Sequence, residues 1–209
     1  MSKGILMSAP SVLELNDGRK TQTRRIINPQ PIDAQVYRWK GEKLYDGEAR
    51  VLCWKQHVLG PIGWDGFQNR IDLWDGGQNR IDLAHLCPYG QPGDLLYVKE
   101  AWAQRLDMDH LNGTQLYDSG VRKAWYWADG PGRCFNTGCA GAAGRYRHAR
   151  FMPRWASRTT LELTDVRVQR VQEISEEDAI HAPDAWERND WVFALTFNVH
   201  KRNVLEMES

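Results

Sequence analysis

No apolar run in this sequence approaches the roughly 20 residues that a membrane-spanning helix requires, so a spanning segment is not expected. Met1 to Val12 contains no apolar stretch of signal-peptide length, which points to a cytoplasmic protein with no membrane partner. Cysteine is scarce, at 4 in 209 residues, and in that compartment reduced thiols are expected. Only Cys134 and Cys139 lie close together, whereas a four-cysteine zinc site generally uses two close pairs, so no metal is expected. Dinucleotide, P-loop, HExxH and GxSxG signatures are all missing, and no cofactor is expected. An excess of charge is missing too. Lys+Arg and Asp+Glu are 27 each, so net charge gives no argument for nucleic acid.

Distribution gives what the total does not. Six arginines (Arg133, Arg145, Arg147, Arg150, Arg154 and Arg158) fall between Gly132 and Arg158 with no acid among them. The acids gather instead between Glu162 and Asp190. A neutral chain with its charge separated in this way can still present one basic face. The 10 tryptophans are enough to supply both a core and a stacking surface. The length suits a single domain over 1–209.

The densest chemistry is in Asp17 to Arg25, DGRKTQTRR, where Arg19, Lys20, Arg24 and Arg25 flank Thr21, Gln22 and Thr23. Upstream, Ser8 can cap a short helix with Pro10 in its first turn and Gly18 near its stop. Downstream, Thr21 to Ile27 reads as a strand, with Thr21, Thr23 and Arg25 on one face and Gln22 and Arg24 on the other. Such a loop and strand can form a pocket for a polar or anionic ligand, or be a solvated basic turn.

Asn28-Pro29-Gln30-Pro31 ends that strand. Residues 32–86 then form an insertion with a tandem repeat, WDGFQNRIDL at 64–73 followed by WDGGQNRIDL at 74–83, read as a surface hairpin with Asp-Gly turns. Pro92-Gly93-Asp94 is a tight turn, and Leu95 to Trp102 a strand with Leu96, Val98 and Glu100 on one face. Glu100 is either half of a structural ion pair or a site residue, with Lys20 or Arg25 as its expected partner. Arg105 to Ser119 reads as loop, Lys123 to Ala128 as an aromatic strand, and Asp129 to Gly144 as a glycine-rich loop. In Arg145 to Arg158, the aromatics Tyr146, Phe151 and Trp155 alternate with arginines. That segment is either a base-stacking, backbone-tracking surface or a plug over the end of a barrel. Thr159 to Val171 is a strand whose apolar phase slips between Leu163 and Val166, so a bulge is expected at Thr164-Asp165. Ser175 to His181 reads as a capped helix, Trp191 to Val199 as the last strand, and Asn203 to Ser209 as a frayed tail.

Several of these stretches carry a resemblance. Gly18, Lys20 and Arg25 match the GxKxxExR signature of the ASCH family, a branch of the PUA-like β-barrels, with Thr23 where that signature has Glu. Small bacterial ASCH enzymes similar to acetylcytidine amidohydrolases carry GRKTxTxR, with the lysine and the second threonine in the catalytic set. ILMSAPSVLELNDGRKTQTRR, CPYGQPGDLLYVKEAW and MPRWASRTTLELTDVRV together resemble ASCH-like proteins of bacteriophages and prophages, covering about half of the chain. The resemblance implies an α+β fold built on a PUA-like mixed β-barrel with a few short helices and a long insertion, in a bacterial host cell.

Three functional readings follow. In the first, the chain binds RNA or another single-stranded nucleic acid, or a modified nucleoside. Arg19, Arg24 and Arg25 then belong to the cleft, with Arg150, Arg154 and Trp155 as flanking surface. In the second it is an amidohydrolase or ribonuclease, with Lys20 activating Thr23 and Glu100 as the carboxylate. A lysine acts so as the free amine, a form favoured by neighbouring cations such as Arg19, Arg24 and Arg25. The position matching the family's catalytic glutamate holds Ala182, so either Glu100, Glu176 or Glu177 replaces it or the reaction is not catalysed. In the third the barrel is a scaffold and the Trp-rich insertion contacts a phage or host protein.

Overall fold

The computed structural model describes residues 2–28, 30, 32–35, 50–54, 57–61, 72–74, 80–82, 84, 87–130, 144–173 and 183–208. The helix expected at Ser175 to His181, Ala182, Glu176, Glu177, and the pair Cys134 and Cys139 lie outside them. Chain contacts divide the protein into two compact units: Met1–Thr21, Pro92–Thr164 and Phe197–Ser209 form one, and Gln22–Gln91 with Asp165–Thr196 the other.

The first unit begins with β1 (Lys3–Leu6) and α1 (Ala9–Asn16). The Ser8 hydroxyl accepts the Ser11 N–H at the helix start, Pro10 fills the first turn, and Val12 and Leu15 are buried one turn apart. A cap of this kind stabilises a helix by about 1 kcal/mol. Gly18 leaves the helix at φ +73°, a conformation that suits glycine. β1 runs parallel to β8 (Leu95–Lys99), and β11 (Thr160–Arg170) runs antiparallel to β8, so the sheet is mixed. Gly93, at φ +94°, makes the turn into β8, and its N–H donates to the Leu163 carbonyl at 2.7 Å.

Leu96, Val98 and Glu100 are buried on one face, the alternation that the sequence predicts. β11 also shows the predicted slip: Leu161 and Leu163 are buried before the break, Val166 and Val168 after it. β9 (Trp102–Ala103) pairs with β10 (Trp125–Tyr126), which is shorter than the aromatic strand expected over Lys123 to Ala128 because a 3-10 turn begins at Trp127. α2 (Gly113–Asp118) lies where a loop is expected. Its core is Trp102, Leu116, Ala124, Met152 and Ala156, with Tyr126 and Trp155 packed against them.

The tail is a second departure. The Asn203 side-chain amide donates to the carbonyls of Arg154, Trp155 and Ser157, and a 3-10 turn at Val204–Glu206 buries Val204. Glu208 then takes hydrogen bonds from Arg154 and from the Ser2 N–H. These long-range bonds fix a segment whose local sequence reads as frayed.

In the second unit, β12 (Trp191–His200) pairs antiparallel with β2 (Gln22–Ile26), from Val192 opposite Ile26 to Thr196 opposite Gln22. The Gln30 side chain closes that ladder, donating to the Ile27 and Trp191 carbonyls and accepting the Trp191 N–H. α3 (Pro183–Glu187) brings Trp186 against buried Val171 and Val192. The insertion is an antiparallel meander of β3 (Ile32–Gln35), β4 (Arg50–Trp54), β5 (His57–Pro61), β6 (Asp72–Trp74) and β7 (Arg80–Asp82). β6 and β7 form the expected hairpin, and Asp72, in the ninth place of the first repeat copy, faces Asp82, in the ninth of the second.

The class is α+β with few helices, as expected. The other five-stranded sheet has the strand order β1-β8-β11-β12-β2, and it does not close into a barrel among the described residues. No helix of the described residues is long and apolar enough to cross a membrane.

Candidate functional site

The site predicted around DGRKTQTRR falls on both sides of the division between units, and each part is described separately. In the first unit, Lys20 lies 3.5 Å from Glu14, so its nearest ionic partner is an acid rather than a crowd of cations. Arg19 is exposed and pairs with Asp17 at 2.9 Å; the hydrogen bond to that carboxylate, and then its charge, raise the Arg19 pKa. In the second unit, Thr23 is only 8% exposed. Arg24 donates to Gln22 Oε1 at 2.6 Å. Arg25 is half-buried, and burial pulls its pKa down against the opposing influence of Tyr89.

Glu100 is 1% exposed, and its partner is Arg158 rather than Lys20 or Arg25. Arg158 Nε and Nη2 reach the two carboxylate oxygens at 2.8 and 2.9 Å, a bidentate pair. The same guanidinium donates to Asp129 at 2.6 and 3.0 Å and lies 4.0 Å from the Tyr126 ring centroid. Burial pushes the Glu100 carboxyl up, opposed by the Arg158 bond and charge. Arg158 is itself held above its ordinary value: burial opposes this, but bonds to two carboxylates outweigh it. Burial also raises the Tyr126 phenol, whose hydroxyl donates to the Ala156 carbonyl at 2.8 Å. In this assembly one guanidinium bridges two largely buried carboxylates through four hydrogen bonds, which makes it a structural lock.

The arginine-aromatic segment divides between the two roles expected for it. Met152 is buried, and Trp155 packs in the core with its Nε1–H on the Gly113 carbonyl at 3.0 Å and its ring edge-on to Trp102. Arg154 is held by Glu208. Arg150 remains exposed; its N–H donates to His148 Nδ1 and its carbonyl accepts Lys99 Nζ. Phe151 and Tyr146, at 69% and 55% exposure, are the aromatics left facing outward.

Those two rings line a cleft of about 580 Å³ in the first unit. Its walls are set by backbone. Trp102 and Arg147 exchange both N–H···O bonds, at 3.0 and 2.9 Å, which pins the segment against β9. The Arg147 guanidinium donates to the carbonyls of Leu111 and Asp109 and lies 5.1 Å from the Trp102 ring centroid, fastening 109–111 to the same wall. Burial, and then the charge of Arg145, pull Arg147 down while Asp109 opposes them. The floor is the start of α2, where Asn112 and Gln115 form a reciprocal capping box. Arg145, His110 and His148 complete the lining, and no carboxylate is part of it.

Arg145, Tyr146 and Phe151 were legible as a basic and aromatic run, whereas His110, Asn112 and Gln115 fell in the stretch read as loop. Asn112-Gly113-Thr114-Gln115 ahead of Leu116 is a capping-box pattern, the signal that locates α2. Among the described residues, no group of three or more His, Cys, Asp or Glu side chains is arranged to hold a metal ion. No protein-family model, curated protein or solved structure matches this chain.

Proposed function

We propose that this chain is an ASCH-type, PUA-like protein of phage or prophage derivation that binds single-stranded nucleic acid. The contact surface in this reading is the cleft beneath Tyr146 and Phe151. One observation carries it: a pocket of nucleotide size whose lining joins two outward-facing aromatic rings to arginine side chains and contains no carboxylate. Exposed rings stack on bases without regard to sequence, and arginine follows the phosphate backbone. Binding is favoured over hydrolysis because Thr23, the expected nucleophile, is buried in β2, and because Glu100 is occupied by Arg158.

The test is a fluorescence-anisotropy titration of a short single-stranded RNA across salt concentrations. Affinity is expected to fall as salt rises, and Arg145→Ala to reduce the slope of log K against log salt by about 0.7, the share of one phosphate contact on a single strand. An RNA that does not bind, or binds without regard to salt, would overturn the proposal.

A further inference from the structure

The cleft's polar groups are biased toward one kind of partner. The Asn112 side-chain oxygen accepts the Gln115 N–H at 3.0 Å, and the Gln115 side-chain oxygen accepts the Asn112 N–H at 2.9 Å. Each amide oxygen has thus committed one of its two lone pairs, while the NH2 group of each side chain is left to donate. His148 Nδ1 accepts the Arg150 N–H, which puts the proton of the neutral ring on Nε2, another donor. Arg145 contributes a guanidinium, which can only donate.

At six of the ten lining residues the backbone carbonyl is also engaged. The carbonyls of Trp102, Asn112, Gly113, Gln115, Arg147 and His148 each already accept a hydrogen bond from within the protein. The indole N–H of Trp102 is buried with no partner at all. The Tyr146 hydroxyl and the His110 ring can serve in either sense.

Every nucleobase offers donors as well as acceptors along its edges, and ribose hydroxyls do both. A phosphate offers acceptors throughout and carries the charge that Arg145 complements. We infer that the cleft holds a single nucleotide by its phosphate, with Tyr146 or Phe151 stacking on the base, so that nucleoside phosphates bind there and free nucleosides do not. The size agrees, since 580 Å³ lies within the range of about 300–1,000 Å³ typical of small-molecule sites. This inference rests on the nucleic-acid reading of the same cleft and narrows it.

Isothermal titration of the full chain with AMP, with adenosine, and with AMP in the presence of inorganic phosphate provides the test. AMP is expected to bind at least tenfold more tightly than adenosine, and phosphate to compete with it. Gln115→Glu keeps the oxygen that the capping box uses and turns the free donor into an anion. It should weaken AMP at least tenfold with the circular dichroism spectrum unchanged. Asn112→Asp applies the same change from the other side of the box and serves if Gln115→Glu does not fold. Adenosine binding as tightly as AMP, or AMP binding to both variants as to wild type, would overturn the inference. If single-stranded RNA binds with salt dependence while AMP does not, this inference falls and the nucleic-acid reading stands. If neither binds, both fall.

Discussion

Arg158 and Arg145 come from one acid-free run, and each has an aromatic ring near it, yet they do opposite things. Arg158 is surrounded: it donates four hydrogen bonds to two carboxylates and lies over the Tyr126 ring. Arg145 is exposed, and among the described residues its hydrogen bond is through the backbone N–H, to Asp109 at 2.6 Å. A cluster of arginines in sequence therefore says little about a binding face until each guanidinium's partners are known. Among the described arginines of this run, Arg158 locks the core, Arg147 fastens two backbone segments, Arg154 holds the tail, and Arg145 and Arg150 are exposed.

That contrast can be broken by experiment. The largest effect is expected at the lock. Arg158→Met strands Glu100 and Asp129 in a buried setting, and removing one partner of a buried pair costs about 3–5 kcal/mol. Urea unfolding measures it; a loss below about 1 kcal/mol would place the assembly with ordinary surface pairs and erase the distinction. Trp155→Ala comes next, at about 3 kcal/mol for a large aromatic removed from packed surroundings. Should that variant keep its stability and lose RNA affinity instead, Trp155 belongs to the contact surface after all.

At the cleft the pattern should reverse. Tyr146→Ala and Phe151→Ala are expected to change stability by no more than about 0.5 kcal/mol, as exposed residues do. Each should weaken RNA binding by about 1–3 kcal/mol, read by anisotropy, if its ring stacks on a base. Equal losses of folding and binding would dissolve the division between lock and cleft.

The smallest effect is one of pH. Burial pushes the Glu208 carboxyl up, but the Ser2 N–H and Arg154 outweigh it and hold the group below its ordinary value. Its contribution is therefore present above the ordinary carboxylate range and is lost as pH falls through the folded value. Glu100 is shifted the other way, so its contribution is present below that range and is lost as pH rises through the folded value. Hydrogen-exchange protection at Val204 to Glu208, corrected for the intrinsic pH dependence of amide exchange, should fall on acidification in wild type, and Glu208→Gln should flatten that dependence.

Much of the framework was legible because it is local. The Ser8 cap, the alternation in β8, the phase slip in β11 and the hairpin of the repeat are all patterns within about ten residues. Partners were not. Glu100 finds Arg158 58 positions away and Asp129 finds it 29 away, and no period connects them. Lys20 went the same way, since its acid lies back in α1 at Glu14 rather than at Glu100. The candidate site was half visible: rings and arginines stood out as a run, whereas the amides of its floor looked like loop chemistry. The tail reads as frayed because nothing in Asn203 to Glu208 announces that one amide will meet three carbonyls from 154–157.

The repeat hairpin has an evolutionary side. Its two copies pair with each other, Asp72 opposite Asp82 and Leu73 opposite Ile81, and β7 is the outer strand of its sheet among the described residues. A gene that duplicates this ten-residue unit in frame therefore supplies the new strand and its neighbour at once. Each further copy would meet an edge made of its own sequence, so the sheet can grow by copying errors alone, with no new pairing partner to be invented.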